Sequence, residues 1–318
     1  MAQSLLITLK QRSSPVEIDV LAPAWSNPLL ARMPEVREAI NLPIGHGEFG
    51  LARRYKLGKA LRSKKYDQAI ITPRSYKAAL VPFFANAKRR TGYRGEMRYG
   101  VINDIRTLDK TILQQTVQRY VALGMEQDVK QAPEIPFPKL NVDNNNLQQL
   151  LAKLELNLNK PVIAILPGAE YGEAKRWPVE YYALLADKLT EQGFQVWVLG
   201  SEKDYATAEA IAQAHSVVNL CGKTSLEDSI DLLSVCKSAV TNDSGLMHIA
   251  AAVGIPLVAI YGSSTPEYTP PLTNKAKIHY LGLDCSPCFK RECPLGHTNC
   301  LKNITVDEVF KNIKMVSE

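Results

Sequence analysis

Residues 239–254 read A-V-T-N-D-S-G-L-M-H-I-A-A-A-V-G, and the way this stretch is parsed decides the fold. A short apolar run ends in Thr241-Asn242-Asp243-Ser244-Gly245 and changes at once to helical spacing, which makes it a strand-to-helix junction. Asp243 stands where a helix N-cap belongs. Gly245 falls in the first turn, where the missing side chain lets a ligand approach the backbone. Free amide groups and the positive end of the helix dipole suit such a junction to an anion, although plain capping accounts for the aspartate equally well. His248 follows Gly245 by three residues on the same helical face, directed at the same anion or serving the structure.

Working outward, the second half of the chain alternates strand-length apolar runs with helical segments. Strands are expected at 161–166, 195–199, 217–220, 238–241 and 256–261, and helices at 179–192, 204–214, 226–236 and 246–253. That order predicts a doubly wound parallel sheet with ligands at the carboxyl ends of its strands. The first half is less regular. It gives strands at 16–21, 36–42 and 68–72 and helices at 2–11, 49–64, 77–84 and 110–123. Between them A-P-E-I-P-F-P-K-L-N-V-D-N-N-N, residues 132–146, carries three prolines and a polar cluster. The expected organisation is therefore a domain over 1–132, a linker over 133–146 and a domain over 147–318.

Two further loops end strands of the second half. Pro167-Gly168-Ala169-Glu170-Tyr171-Gly172-Glu173-Ala174-Lys175-Arg176-Trp177-Pro178 brings two cations ahead of a helix, and lysine there is a compact counter-charge for a leaving phosphate that needs no metal. Two phosphate-friendly elements in one domain point to a diphosphate. Leu199-Gly200-Ser201-Glu202-Lys203-Asp204 offers Glu202 or Asp204 to ribose hydroxyls, or else as a helix cap. Neither G-x-G-x-x-G nor G-K-[ST] occurs, which disfavours a nicotinamide dehydrogenase or a P-loop enzyme.

Charge is unevenly divided. Residues 1–132 hold 22 basic and 11 acidic side chains, a net of +11, whereas 133–318 hold 16 and 21, a net of −5. The first half suits an anionic partner, and charge alone leaves nucleic acid, an acidic membrane surface and a phosphorylated substrate open. No apolar run approaches the length of a membrane span and the first ten residues lack the pattern of a signal peptide, so a cytoplasmic protein is expected. Four of the six cysteines crowd into L-D-C-S-P-C-F-K-R-E-C-P-L-G-H-T-N-C at 283–300. Cys285, Cys288, Cys293 and Cys300 are candidates for a structural zinc or iron–sulfur site, the first pair having ligand spacing and the second not. Cys221 and Cys236 read as buried small residues.

The loops at 167–178 and 240–248, with Y-G-S-S-T-P at 261–266, T-P-P-L at 269–272 and R-R-T-G-Y-R-G-E-M-R-Y-G at 89–100, resemble those of the ADP-heptose:lipopolysaccharide heptosyltransferases of glycosyltransferase family 9. The resemblance implies a GT-B architecture, two Rossmann-like domains facing a cleft, with sugar nucleotide on the second and acceptor on the first. It implies inverting, metal-independent transfer of L-glycero-D-manno-heptose from ADP-heptose to the heptosyl-Kdo inner core of lipopolysaccharide. No cofactor is then required for catalysis and no nucleic acid is a partner, while peripheral contact with the inner membrane surface is expected. Carried onto this chain, Lys175 and Asp243 become the catalytic residues. Gly168, Lys175, Ser201, Asp204, Thr224, Asp243, Ser244, Gly245 and His248 become the donor-binding set. Arg74, Lys77, Arg90, Arg94 and Arg98 become candidates for the anionic acceptor.

Members of the family open with a strand and a loop of the type G-P-S-W-V-G-D-M-V-M, whose aspartate is the expected general base. Residues 1–6 here correspond to the helix after that loop, so about fifteen further residues are expected upstream, the length of a strand and its turn. Without a central strand the ladder groups of its neighbours would lack partners. Rival readings are a catalytically impaired binder of nucleotide or lipopolysaccharide, another heptosyltransferase of the same pathway, and a nucleotide-sugar epimerase.

Overall fold

In the computed structural model, which describes residues 1–12, 15–45, 47–213 and 217–317, the chain separates into two compact units, Met1–Pro136 and Phe137–Glu318. The strands, in chain order, are β1 (Ile18–Ala22), β2 (Val36–Asn41), β3 (Gln68–Ile71), β4 (Arg89–Tyr93), β5 (Asp104–Arg106), β6 (Val162–Leu166), β7 (Gln195–Val198), β8 (Val217–Asn219), β9 (Ser238–Asn242), β10 (Leu257–Ile260) and β11 (Ala276–His279).

The second unit carries one parallel six-stranded sheet in the order β11-β10-β9-β6-β7-β8. Its central strand β6 reads Val-Ile-Ala-Ile-Leu with every residue buried, the continuous apolar run demanded by a strand covered on both faces. The helix Val179–Glu191 covers one face through Tyr182, Leu185, Ala186 and Leu189, an i, i+3, i+4, i+7 stripe. Trp177 joins that core, its ring edge-on to Tyr182 at 4.9 Å. Strand order runs outward from β6 to β7 and β8 on one side and to β9, β10 and β11 on the other. The loops leaving β6 and β9 therefore diverge side by side, which is the switch point where doubly wound sheets bind ligands. The expected helix end at Ala214 lies outside the described residues.

The first unit is parallel as well, but its strands form two separate ladders, β1–β2 and β3–β4–β5. Strands β4 and β5 are absent from the sequence expectation, because Arg89-Arg90-Thr91-Gly92-Tyr93 carries no apolar run. Its burial comes from tertiary contacts of Thr91, Gly92 and Tyr93 instead. The helix expected from residue 110 begins only at Thr116, where Gln115 and Gln118 form a reciprocal capping box. Gly58 lets the helix Leu51–Leu61 lie directly against the next one, since a Cβ there would stand 2.5 Å from Phe84 Cβ.

The expected linker is corrected in its second half. Leu140 is buried, its amide donates to the Ala252 carbonyl, and Asp143 caps a helix Asn144–Lys153 by accepting from the amides of Asn145 and Asn146. A polar Asp-Asn-Asn-Asn run that resembles a solvated loop is here the start of a helix whose apolar face begins only at Leu147.

Candidate functional site

The site of the second unit is built at the carboxyl ends of β6, β9 and β10, and Asn242 holds it together. Leu166 pairs with Thr241 in the ladder, so the residues that follow each strand lie side by side. Buried Asn242 donates from Nδ2 to the Pro167 carbonyl (2.7 Å), while its Oδ1 accepts from the Trp177 amide and the Tyr182 hydroxyl, each 3.0 Å. One amide side chain thus fastens both ends of the 167–178 loop to the 241–245 junction. Its signal in the sequence was a polar residue at the end of an apolar strand.

Lys175 follows from that arrangement. Its Nζ lies 2.5 Å from Asp243 Oδ2, with the aspartate side chain 5% exposed and the lysine 18%. Asp243 Oδ2 also accepts from Ser264 Oγ (2.6 Å), and Thr269 Oγ1 lies 3.4 Å from its Oδ1. Asp243 is therefore not the helix cap expected from its position. Ser244 takes that role for the helix Gly245–Val253, its Oγ accepting from the Met247 amide at 3.4 Å. The physical reason is competition: a carboxylate surrounded by an ammonium and two hydroxyls is held away from the backbone it would otherwise cap. Gly245 is exposed at the first turn and a Cβ there would meet nothing within 4 Å, so the first amides of the helix are approachable. Three residues on, burial holds the imidazole of His248 down at about 4, keeping it neutral.

The neighbouring cation is differently occupied. Arg176 bonds Glu173 at 3.0 Å and reaches Asp204 at 3.6 Å, tying the 167–178 loop to the end of β7. Asp204 itself is a buried cap whose Oδ2 accepts from the amide and hydroxyl of Ser201 (3.0 and 2.7 Å). Gly168 serves the same packing, since a Cβ on it would come within 2.8 Å of Asp204 Oδ2. Asp204, Ser201 and Gly168 thus pack and bond with one another at the end of β7. Glu202, exposed beside them, lines a cavity of about 450 Å³ with Lys203, Tyr205, Cys221, Gly222 and Lys223. Thr224 follows that wall, its hydroxyl 3.5 Å from the Leu220 carbonyl.

In the first unit the five candidate cations divide. Arg98 is buried: it donates to the carbonyls of Pro73 (2.7 Å) and Tyr93, and burial lowers its pKa. Arg90 donates to the carbonyls of Val101 (2.8 Å) and Ala87 (2.6 Å) and stacks over Phe83. Both are thus engaged with backbone carbonyls, because a guanidinium beside strand ends finds backbone acceptors at hand. Arg74 and Arg94 are exposed, the former 3.3 Å from the Arg94 carbonyl, and half-buried Lys77 lies 3.3 Å from the Glu48 carbonyl.

The four clustered cysteines line one small cavity of about 20 Å³ together with His297, Ala174 and Ser263. Among the described residues no three or more His, Cys, Asp or Glu side chains stand in a metal-ligating arrangement. Backbone N–H groups, that of Thr298 foremost, hold the Cys293 thiol below its ordinary value, whereas burial raises that of Cys300. Cys221 and Cys236 are buried, as read.

Comparison with known proteins gives the family. The family description glycosyltransferase family 9 (heptosyltransferase) matches residues 54–299. The lipopolysaccharide heptosyltransferase 2 of Salmonella typhimurium is 46% identical, covering 98% of this chain and 93% of its own. The lipooligosaccharide heptosyltransferase 2 of Haemophilus influenzae is 49% identical over 87% of this chain and 84% of its own. The solved ADP-heptose lipopolysaccharide heptosyltransferase II of E. coli superposes with a TM-score of 0.87 at 42% identity, covering 99% of this chain and 94% of its own. The fold is GT-B, and the chain belongs to glycosyltransferase family 9.

Proposed function

We propose that the chain is a heptosyltransferase of lipopolysaccharide core biosynthesis, which moves L-glycero-D-manno-heptose from ADP-heptose to the heptosyl-Kdo inner core with inversion. The observation that carries the donor half is the ion pair of Lys175 and Asp243 beside the open amides of Ser244 and Gly245. An acceptor hydroxyl oxygen attacks the anomeric carbon from the face opposite the nucleotide and gives up its proton to water, the bond from that carbon to the β-phosphate oxygen breaks, and ADP departs with an added negative charge. Lys175 and the helix amides meet that charge where it develops. Asp243 keeps the ammonium of Lys175 in place when no phosphate is present, and its own charge is balanced by the same lysine and the hydroxyls of Ser264 and Thr269. Neutral His248 is suited to donate a hydrogen bond to a phosphate oxygen without adding charge.

In this reading the adenosine occupies the cavity beside Glu202, whose carboxylate accepts from ribose hydroxyls, a role the buried Asp204 is not free to take. Arg74, Lys77 and Arg94 receive the phosphates and carboxylates of the acceptor. Peripheral contact with the inner membrane belongs to the same reading, supported by exposed Phe49, Leu51 and Tyr55 beside Arg53, Lys56 and Lys59 on or next to the helix Leu51–Leu61. Among the described residues no helix is long and apolar enough to cross a membrane. The decisive experiment is ADP release from ADP-heptose with defined inner-core acceptors. Release that depends on a heptosyl-Kdo acceptor supports the reading, and conversion of the donor without any acceptor overturns it.

A further inference from the structure

We propose that Cys285, Cys288, Cys293 and Cys300 bind a single Zn²⁺ as four thiolates, and that the ion fixes the loop carrying Lys175. Three observations converge. All four sulfur-bearing side chains line the same small cavity of about 20 Å³. His297 is committed elsewhere, its Nδ1 accepting from the Asn299 amide at 3.0 Å, which leaves the cysteines as the ligand set. The first two ligands have the spacing of a zinc knuckle. The side chains as described are not gathered to ligating distance, so entry of the ion requires the thiols to rotate about χ1 and draw in to about 2.3 Å from the metal. Each thiol gives up its proton to solvent as its bond to the ion forms, and no oxidation state changes.

The position of the cavity says what such an ion does. Its wall includes Ala174 and Ser263, the residues next to Lys175 and Ser264. The cysteine segment is laced to both: the Ala174 amide donates to Arg291 (3.0 Å), the Tyr171 hydroxyl to Phe289 (2.6 Å), the Phe289 amide to Ser263 (2.7 Å) and the Ser286 hydroxyl to Gly262 (2.6 Å), each at a carbonyl. Gly172, at φ 153°, has no space for a side chain, because a Cβ would stand 2.4 Å from the Arg291 carbonyl oxygen. In this proposal the ion adds a cross-link within segment 285–300 and, through these hydrogen bonds, steadies the lysine loop.

The consequence for donor binding rests on the reading of Lys175 given above, whereas metal binding does not. Full-length chain purified under reducing conditions is expected to hold about one zinc, released stoichiometrically by a thiol-modifying mercurial, and cobalt exchange is expected to give thiolate-to-metal charge-transfer absorption. Chelation of the unmutated protein is expected to weaken ADP binding roughly tenfold, restored by zinc. Cys293→Ser is expected to lower both metal content and ADP affinity, with Cys236→Ser as the control that changes neither. Absence of retained zinc, four thiols equally reactive with and without added zinc, iron with sulfide in its place, or disulfides in the folded chain would each overturn the proposal. Zinc bound without any effect on ADP affinity would leave the site standing and refute its link to Lys175. Zinc-dependent ADP binding without heptose transfer would refute the functional reading instead.

Discussion

Lys175 in the second unit and Arg98 in the first are both cations singled out by the sequence, and the fold uses them in opposite ways. Lys175 faces one buried carboxylate beside approachable amides, and in the proposed function its charge is kept there for the phosphates of the donor. Arg98 faces two backbone carbonyls and no carboxylate within bonding distance among the described residues. Its charge is spent on closing the loop after β4. The difference lies in the partner, since a carboxylate can share its cation with an incoming phosphate, whereas carbonyls that lose their donor are left unsatisfied.

The sharpest way to break this contrast is Lys175→Ala. Turnover is expected to fall about 10²- to 10³-fold, and stability is expected to fall as well, because the buried Asp243 carboxylate loses its cation. A loss of stability without a loss of turnover would move Lys175 into the structural class with Arg98. Next in size, Arg98→Met is expected to cost about 2–3 kcal/mol in urea unfolding, because the carbonyls of Pro73 and Tyr93 lose a buried donor. If the acceptor KM rose while unfolding stayed the same, Arg98 would be a ligand residue after all. Ser264→Ala removes one hydrogen bond from Asp243 and is expected to lower kcat about fivefold, an effect of about 1 kcal/mol, with the acceptor KM unaffected. Arg94→Ala, at an exposed position, is expected to raise the acceptor KM a few-fold and to leave stability within about 0.5 kcal/mol. Should it unfold the protein, exposure would be a poor guide to which cations are available.

The smallest effect concerns acid. His248 is held at about 4 in the folded chain against 6.5 ordinarily, so between those values the unfolded chain binds a proton that the folded one excludes. Stability from this residue is therefore complete above pH 6.5 and lost as the pH falls toward 4, at a slope of up to about 1 kcal/mol per pH unit. Comparing unfolding of the parent and His248→Gln across that window measures it. Identical slopes would show that the imidazole takes up its proton equally well in both states.

How much could be read beforehand follows from where the information sits. Runs such as Val-Ile-Ala-Ile-Leu at 162–166 and the stripe Tyr182, Leu185, Ala186, Leu189 identify themselves, because strands buried on both faces and one-sided helices impose periods on the chain. The parallel fold and the loops at 167–178 and 241–245 follow from that periodicity. Strand β4 did not, since Arg-Arg-Thr-Gly-Tyr becomes a strand only through the neighbours that pair with it.

The sequence by itself determined the parallel architecture, the junction at the end of β9 and the lysine placed to meet it, since each is a local pattern of side-chain type and spacing. Only the tertiary structure decided that Ser244 and not Asp243 caps the helix, that Asp204 and Arg98 are consumed inside the protein, and that Asn242, Ser264 and Thr269 belong to the site. Those outcomes depend on which donors and acceptors arrive from distant segments. Hydrogen bonding is settled by that competition in space and leaves no periodic trace along the chain.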